Sequence, residues 1–134
     1  MNSIDELFAY TLSLGDTTFI HQHAVDTHAA QNATAGMKPI GITFALVGLY
    51  LHNEKGFTGR EVQRAHMKLA QRKQPWPELT LPANRGAMTI EDVLAAPEGE
   101  QRDAAIHAWC AAVWSAFRDN EPRIAGLLRR NGIG

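Results

Sequence analysis

Apolar residues recur along this chain at helical spacing, and Gly and Pro divide the periodic segments. Ser3 with Glu6 fits a capping box, so a first short helix is expected to run to about Leu14 and stop at Gly15. Asp16 or Thr17 caps a second helix, roughly Thr18 to Ala33, and Lys38-Pro39 opens a third. Thr58 and Glu61 form another capping box, starting a helix to about Lys73 with Val62, Ala65, Leu69 and Ala70 on its apolar side. Pro75, Pro77 and Pro82 exclude a helix from Gln74 to Met88, where Trp76, Leu79 and Leu81 are expected to pin the chain to the core. Thr89 caps a short helix ended by Pro97. A long one follows from Glu100 to Asp119, and a final short one from Glu121 to Arg130.

The third segment, about Pro39 to Asn53, is apolar on nearly all sides, which marks a helix surrounded by others. Gly41, Ala45 and Gly48 fall on one stripe, where a neighbour such as the alanine-rich second helix can approach closely. On the long helix, Ile106, Trp109, Cys110, Val113, Trp114 and Phe117 form a wide apolar face, and Ala104, Ala108 and Ala112 a flatter one. The pattern predicts an all-α bundle of about four main helices plus short ones, in a single domain over residues 1–134.

Composition adds limits. A chain of 134 residues can bury a working core unaided, and 45% hydrophobic with 20% charged residues is a globular balance. The net charge of -1 gives no reason to expect a polyanionic partner. The single cysteine, Cys110, excludes an internal disulfide and any paired-cysteine zinc motif, which fits a cytoplasmic protein. The N-terminus lacks the basic and apolar regions of a signal peptide, and the longest apolar run is too short to span a bilayer, so no membrane partner is expected.

The chemistry concentrates in FIHQHAVDTHAAQ, Phe19 to Gln31, which holds His21, His23, Asp26 and His28 among apolar residues. On a helix, His21 and His23 point to nearly opposite sides. His21 and His28 share a stripe about 10 Å apart, too far to bind one ion. A metal site therefore needs ligands from several helices. His21 or His28, with Asp26 and with His66 or His107, could supply them for a divalent transition metal. Asp26 could instead orient a histidine or bond the backbone of the Pro-rich segment, since a buried carboxylate needs a partner. His52, at the end of the third helix, is placed where the helix dipole favours a cation. Cys110 reads as a core thiol. Arg60, Arg64, Lys68 and Arg72 form a basic stripe. With the preceding turn it resembles a helix-turn-helix outline in which Arg60, Gln63 and Arg64 would meet DNA, although nucleic acid is the less expected partner.

The blocks HQHAVDTHAAQ, KPIGITFALVGLYLHNEKGFTGREVQRAHMKLA, WPEL, TIEDVLAA and AWCAAVWSAF, in that order, resemble an uncharacterised family of small bacterial helical proteins, a domain of unknown function. The resemblance runs from about Asp16 to Leu128 and implies a bacterial cytoplasmic helical protein, without an activity. A short Cys-x-x-Cys segment that opens some family members is missing, so no zinc-knuckle role carries over. His21, Gln22, Asp26 and Gln31, with Trp76 and Trp109, match the family pattern; Gln22, Gln31, Trp76 and Trp109 are the expected pocket residues. The sequence thus supports two readings. One is a binding or self-associating module, a homodimer for example, with a His/Asp pocket. The other is a metal-binding bundle or metal-dependent enzyme. In both, His21 or His28, together with Asp26, is expected to face the interior.

Overall fold

The computed structural model describes residues 2–134, and these form helices with no strand. The helices are α1 (Ser3–Ser13), α2 (Ile20–Gln31), α3 (Pro39–Lys55), α4 (Gly59–Ala70), α5 (Ile90–Ala95), α6 (Glu100–Phe117) and α7 (Glu121–Arg130), with a 3-10 turn, Arg118–Asn120, joining the last two. α3 is the central element and packs against α2, α4, α6 and α7. Being apolar all round is the condition for that place, and Ala45 through Leu51 are all buried. α2 packs against α1, α3, α4 and α6, and so is enclosed almost as fully.

The helix starts follow capping chemistry, with two shifts from the sequence pattern. α1 is capped by Asn2, whose Oδ1 accepts the Asp5 N–H at 2.9 Å, one residue before the expected Ser3. α2 starts at Ile20 because Phe19 takes a left-handed conformation, φ 60°. The Asp16 carboxylate accepts the Ile20 N–H at 3.0 Å and the Thr18 hydroxyl at 2.7 Å, so the turn is tied down. The cost of that conformation, about 1–2 kcal/mol, is offset by what presses on it. Arg60 donates its backbone N–H to the Thr18 carbonyl and lays its guanidinium 4.1 Å over the Phe19 ring. Gly59 must be glycine here, since a Cβ would stand 1.8 Å from the Phe19 carbonyl oxygen. The Thr58–Glu61 capping box forms as the sequence predicts.

Residues 74–88 form a belt without helix. Trp76, Leu79 and Leu81 pack on the core, with Trp76 edge-on to Phe44. Polar side chains fasten the belt. Asn120 pairs with both backbone groups of Thr80, at 2.7 and 2.9 Å. Arg85 donates to the Ala30 and Ala33 carbonyls, closing the C-terminal end of α2 with a cation, and stacks toward Phe117. Gln31 donates to the Arg85 and Met88 carbonyls while its Oε1 accepts the indole N–H of Trp109 at 2.9 Å.

Candidate functional site

The buried face of α2 carries a column of polar side chains: His23, Asp26 and Thr27, then the half-buried Gln31. Their spacing of three and four residues puts them on one side of the helix, toward α3 and α6. Each meets a different neighbour.

At the N-terminal end of the column three imidazoles from three helices come together. The His23 ring stacks on His52 with centroids 3.7 Å apart, His52 lies 3.1 Å from His107 (Nε2 to Nδ1), and the His23 and His107 centroids are 6.0 Å apart. The cluster runs outward: His23 is 3% exposed, His52 half-buried and His107 exposed. Local sequence aims the middle ring. Gly56, at φ 72°, ends α3 with its N–H on the His52 carbonyl, and the Phe57 N–H reaches the Leu51 carbonyl. This is a Schellman closure, and it returns the Phe57 carbonyl to His52 Nδ1 at 2.9 Å. A carbonyl only accepts, so His52 carries its hydrogen on Nδ1. Its Nε2 lone pair, in the neutral ring, then accepts from His107 Nδ1–H.

The environment disfavours charge on His23 and His107. Burial, then the neighbouring His52 and His107, push His23 down from an ordinary 6.5 to about 3, against a weaker opposite pull from Asp16. Burial and His52 also lower His107, with Asp103 opposing. His23 Nδ1 is buried with no hydrogen-bond partner.

One turn along α2, Asp26 is enclosed between α2, α3 and α4. Its Oδ1 accepts the Gln22 amide at 3.1 Å, and its Oδ2 has no partner. The carboxyl rests against Gly48, where a Cβ would stand 1.8 Å from Oδ2. Burial raises its pKa well above the carboxylate range, with the Gln22 bond opposing. Cys110 lies deeper, bonded to Thr27 and to the Asn53 amide, and burial raises its thiol to about 11. It is a protonated core thiol at neutral pH.

The residues singled out from sequence are dispersed. His21 and His28 lie half-buried on the other side of α2, against α1. Phe8 stands edge-on to both, at 4.9 and 6.3 Å, and His21 Nδ1 shares a 2.8 Å hydrogen bond with the Thr11 hydroxyl. His66 donates to the Phe44 carbonyl at 2.7 Å and stacks on that ring. Asp26 meets none of these histidines, and it is Gln31 that bonds the belt backbone. Only His107 reaches other imidazoles, and they are His23 and His52. Among the described residues no group of three or more His, Cys, Asp or Glu is arranged to hold a metal ion. Gln22, Gln31, Trp76 and Trp109 do not share a pocket: Gln22 bonds Asp26, Gln31 bonds Trp109, and Trp76 is on Phe44. Of the flatter face on α6, Ala104 and Ala108 are exposed and Ala112 is half-buried.

His23 and His52 were the site members absent from the expected ligand set. His23 shares its stripe with Asp26, Thr27 and Ala30, a largely polar set that does not mark a buried face. The pairing with His52 had no sequence signal, because it depends on how α2 crosses α3. On the basic stripe, Arg60 is held by Phe19 and Gln63, Lys68 by the Gly132 carbonyl and Arg72 by the Arg130 carbonyl. α4 is thus fixed at both ends to other parts of the bundle. No helix of the described residues is long and apolar enough to cross a membrane.

No curated protein and no solved structure matches the chain. A family model matches residues 2–118, which take in α1 through α6 and so the whole imidazole cluster, and the chain belongs to that family of unknown function, DUF5946.

Proposed function

We propose that this protein is a helical binding module of the bacterial cytoplasm, and that its ligand-contacting site is the cluster of His23, His52 and His107. The observation that carries the reading is the grading of that cluster from a buried, unpaired imidazole to an exposed one. A core seam would be better filled by apolar groups, because an unpartnered buried nitrogen costs roughly 1–3 kcal/mol. Here three helices each place a ring in the cluster, and the outermost ring, His107, is exposed. Neutral imidazoles offer both a lone pair and an N–H, and they suit ligand contact without a fixed charge. The buried free thiol of Cys110 accords with a reducing compartment.

The test is a thermal-shift panel of metal ions, nucleotides, organic acids and amines on tag-free protein, run beside the His52→Ala/His107→Ala variant. At least one panel member is expected to raise the melting temperature of the wild type and to lose its effect in the variant. A panel whose hits all survive in the variant, or one without any hit, overturns the reading.

A further inference from the structure

We infer that the outer edge of the cluster, His52 Nε2 with His107 Nδ1, is a two-imidazole site for a divalent transition metal ion, with copper bound tightest and nickel and zinc less so. This deepens the reading above and rests on it.

The two nitrogens are placed to be spanned by one ion once the exposed His107 ring turns from its hydrogen bond toward it. The two nitrogens stand 3.1 Å apart. An ion with metal–nitrogen bonds of about 2.0–2.1 Å spans that gap at an angle of roughly 100°. This lies between the square and tetrahedral angles that copper, nickel and zinc adopt. The supporting shell is in place as well. A metal-bound histidine ordinarily gives its other ring N–H to a carbonyl or carboxylate, and His52 gives Nδ1–H to the Phe57 carbonyl. Stacking on His23 holds the plane of the His52 ring.

Protonation does not stand in the way. Both nitrogens must present lone pairs. His52 Nε2 does so already, and His107 does so when its hydrogen moves from Nδ1 to Nε2, a tautomer change with no net proton lost. Burial and the neighbouring ring favour the neutral form of His107. The carboxylates of Asp103 and Asp16 lie close enough to act on His107 and His23 and add to the attraction for a cation, but each is engaged elsewhere. Asp103 accepts the Tyr10 hydroxyl at 2.7 Å and Asp16 holds the start of α2. The protein therefore supplies two ligands, and water fills the positions open to solvent at His107. The remaining histidines are isolated from one another by Thr11, Phe8 and the Phe44 carbonyl.

The experiment is calorimetric titration of tag-free full-length protein with copper(II), joined to electron paramagnetic resonance of the loaded protein and repeated with nickel(II) and zinc(II). One copper per chain is expected, with hyperfine structure from two imidazole nitrogens. His107→Ala, at an exposed position, should weaken copper at least ten-fold, while His21→Ala and His66→Ala leave the affinity unchanged. An affinity unmoved by His107→Ala, or lost in His21→Ala, overturns the site. If copper fails to bind but a panel ligand still depends on His52 and His107, the metal inference falls and the binding reading stands. If neither occurs, both fall.

Discussion

Asp26 and His23 stand one helical turn apart on the same face of α2, and each is more than nine-tenths buried with one polar atom unpaired. Yet they are built in opposite ways. Asp26 is sealed: a glycine makes room for it, Gln22 takes one oxygen, and no exposed group continues from it. His23 opens a path outward through His52 to His107 at the surface. Burial favours the uncharged form of both. For an acid this means a proton retained, and for a base a proton refused. The contrast separates a buried polar group that the packing contains from one that it connects to solvent. Burial alone does not identify a site, because it does not distinguish the two.

The largest expected effect tests how tightly Asp26 is sealed. In Gly48→Ala the new methyl would fall on Asp26 Oδ2 and press on Val62 as well, so a stability loss of about 3 kcal/mol is expected in chemical denaturation. Asp26→Ala in the same background should recover most of it. A loss below about 1 kcal/mol would mean the carboxyl has room to move.

The next effect comes from pH. The folded state depresses His23 from 6.5 to about 3, so its contribution to stability is complete above 6.5 and is lost as pH falls toward 3. Between pH 7 and pH 5 that loss is about 2 kcal/mol. The raised Asp26 works with the opposite sign. Its contribution is complete below the ordinary carboxylate value of 3.8 and declines as pH rises above it. In wild type the two slopes oppose each other, and single variants should separate them. His23→Leu should shift the stability difference between pH 5 and pH 7 by about 2 kcal/mol in favour of pH 5. Asp26→Asn should shift it the other way and add on the order of 1 kcal/mol at pH 7. Denaturant midpoints at the two pH values decide both, and variants that move together would break the comparison.

The smallest effect falls at the outer end. His107→Ala should change stability by less than about 0.5 kcal/mol, because the ring is exposed and its bond to His52 can be replaced by water. A loss of 2 kcal/mol or more in thermal or chemical denaturation would make His107 a structural clasp.

Much of the bundle was legible in the sequence because its signals are local. The Thr58–Glu61 box, the prolines of the belt and the bounds of α7 depend on neighbours within a turn or two, and the structure has them where the pattern predicts. The all-round apolar α3 announced its central place for the same reason. The misplaced start of α2 was not local: Phe19 takes a left-handed conformation under pressure from Arg60 and Gly59, forty residues away.

The site was legible only in its ingredients. Sequence identified the His-rich α2 and showed that it could not chelate by itself. It did not tell which imidazole faced inward, because α2 is covered on several sides and has no single apolar stripe to orient it. The structure assigns His21 and His28 to the α1 side and His23 to the interior.

By itself, then, the sequence determined the order of the helices, the Thr58 and Thr89 caps, the buried rank of α3 and the inertness of the lone cysteine, all consequences of short-range backbone chemistry and hydrophobic periodicity. The tertiary structure decided the rest. The crossings of α2, α3 and α6 fix which side chains share a seam. They brought His23, His52 and His107 together from three separate helices, set Asp26 against Gly48, and left His66 alone on Phe44. Such pairings depend on interhelical packing, which fixes positions in space that no spacing along the chain specifies.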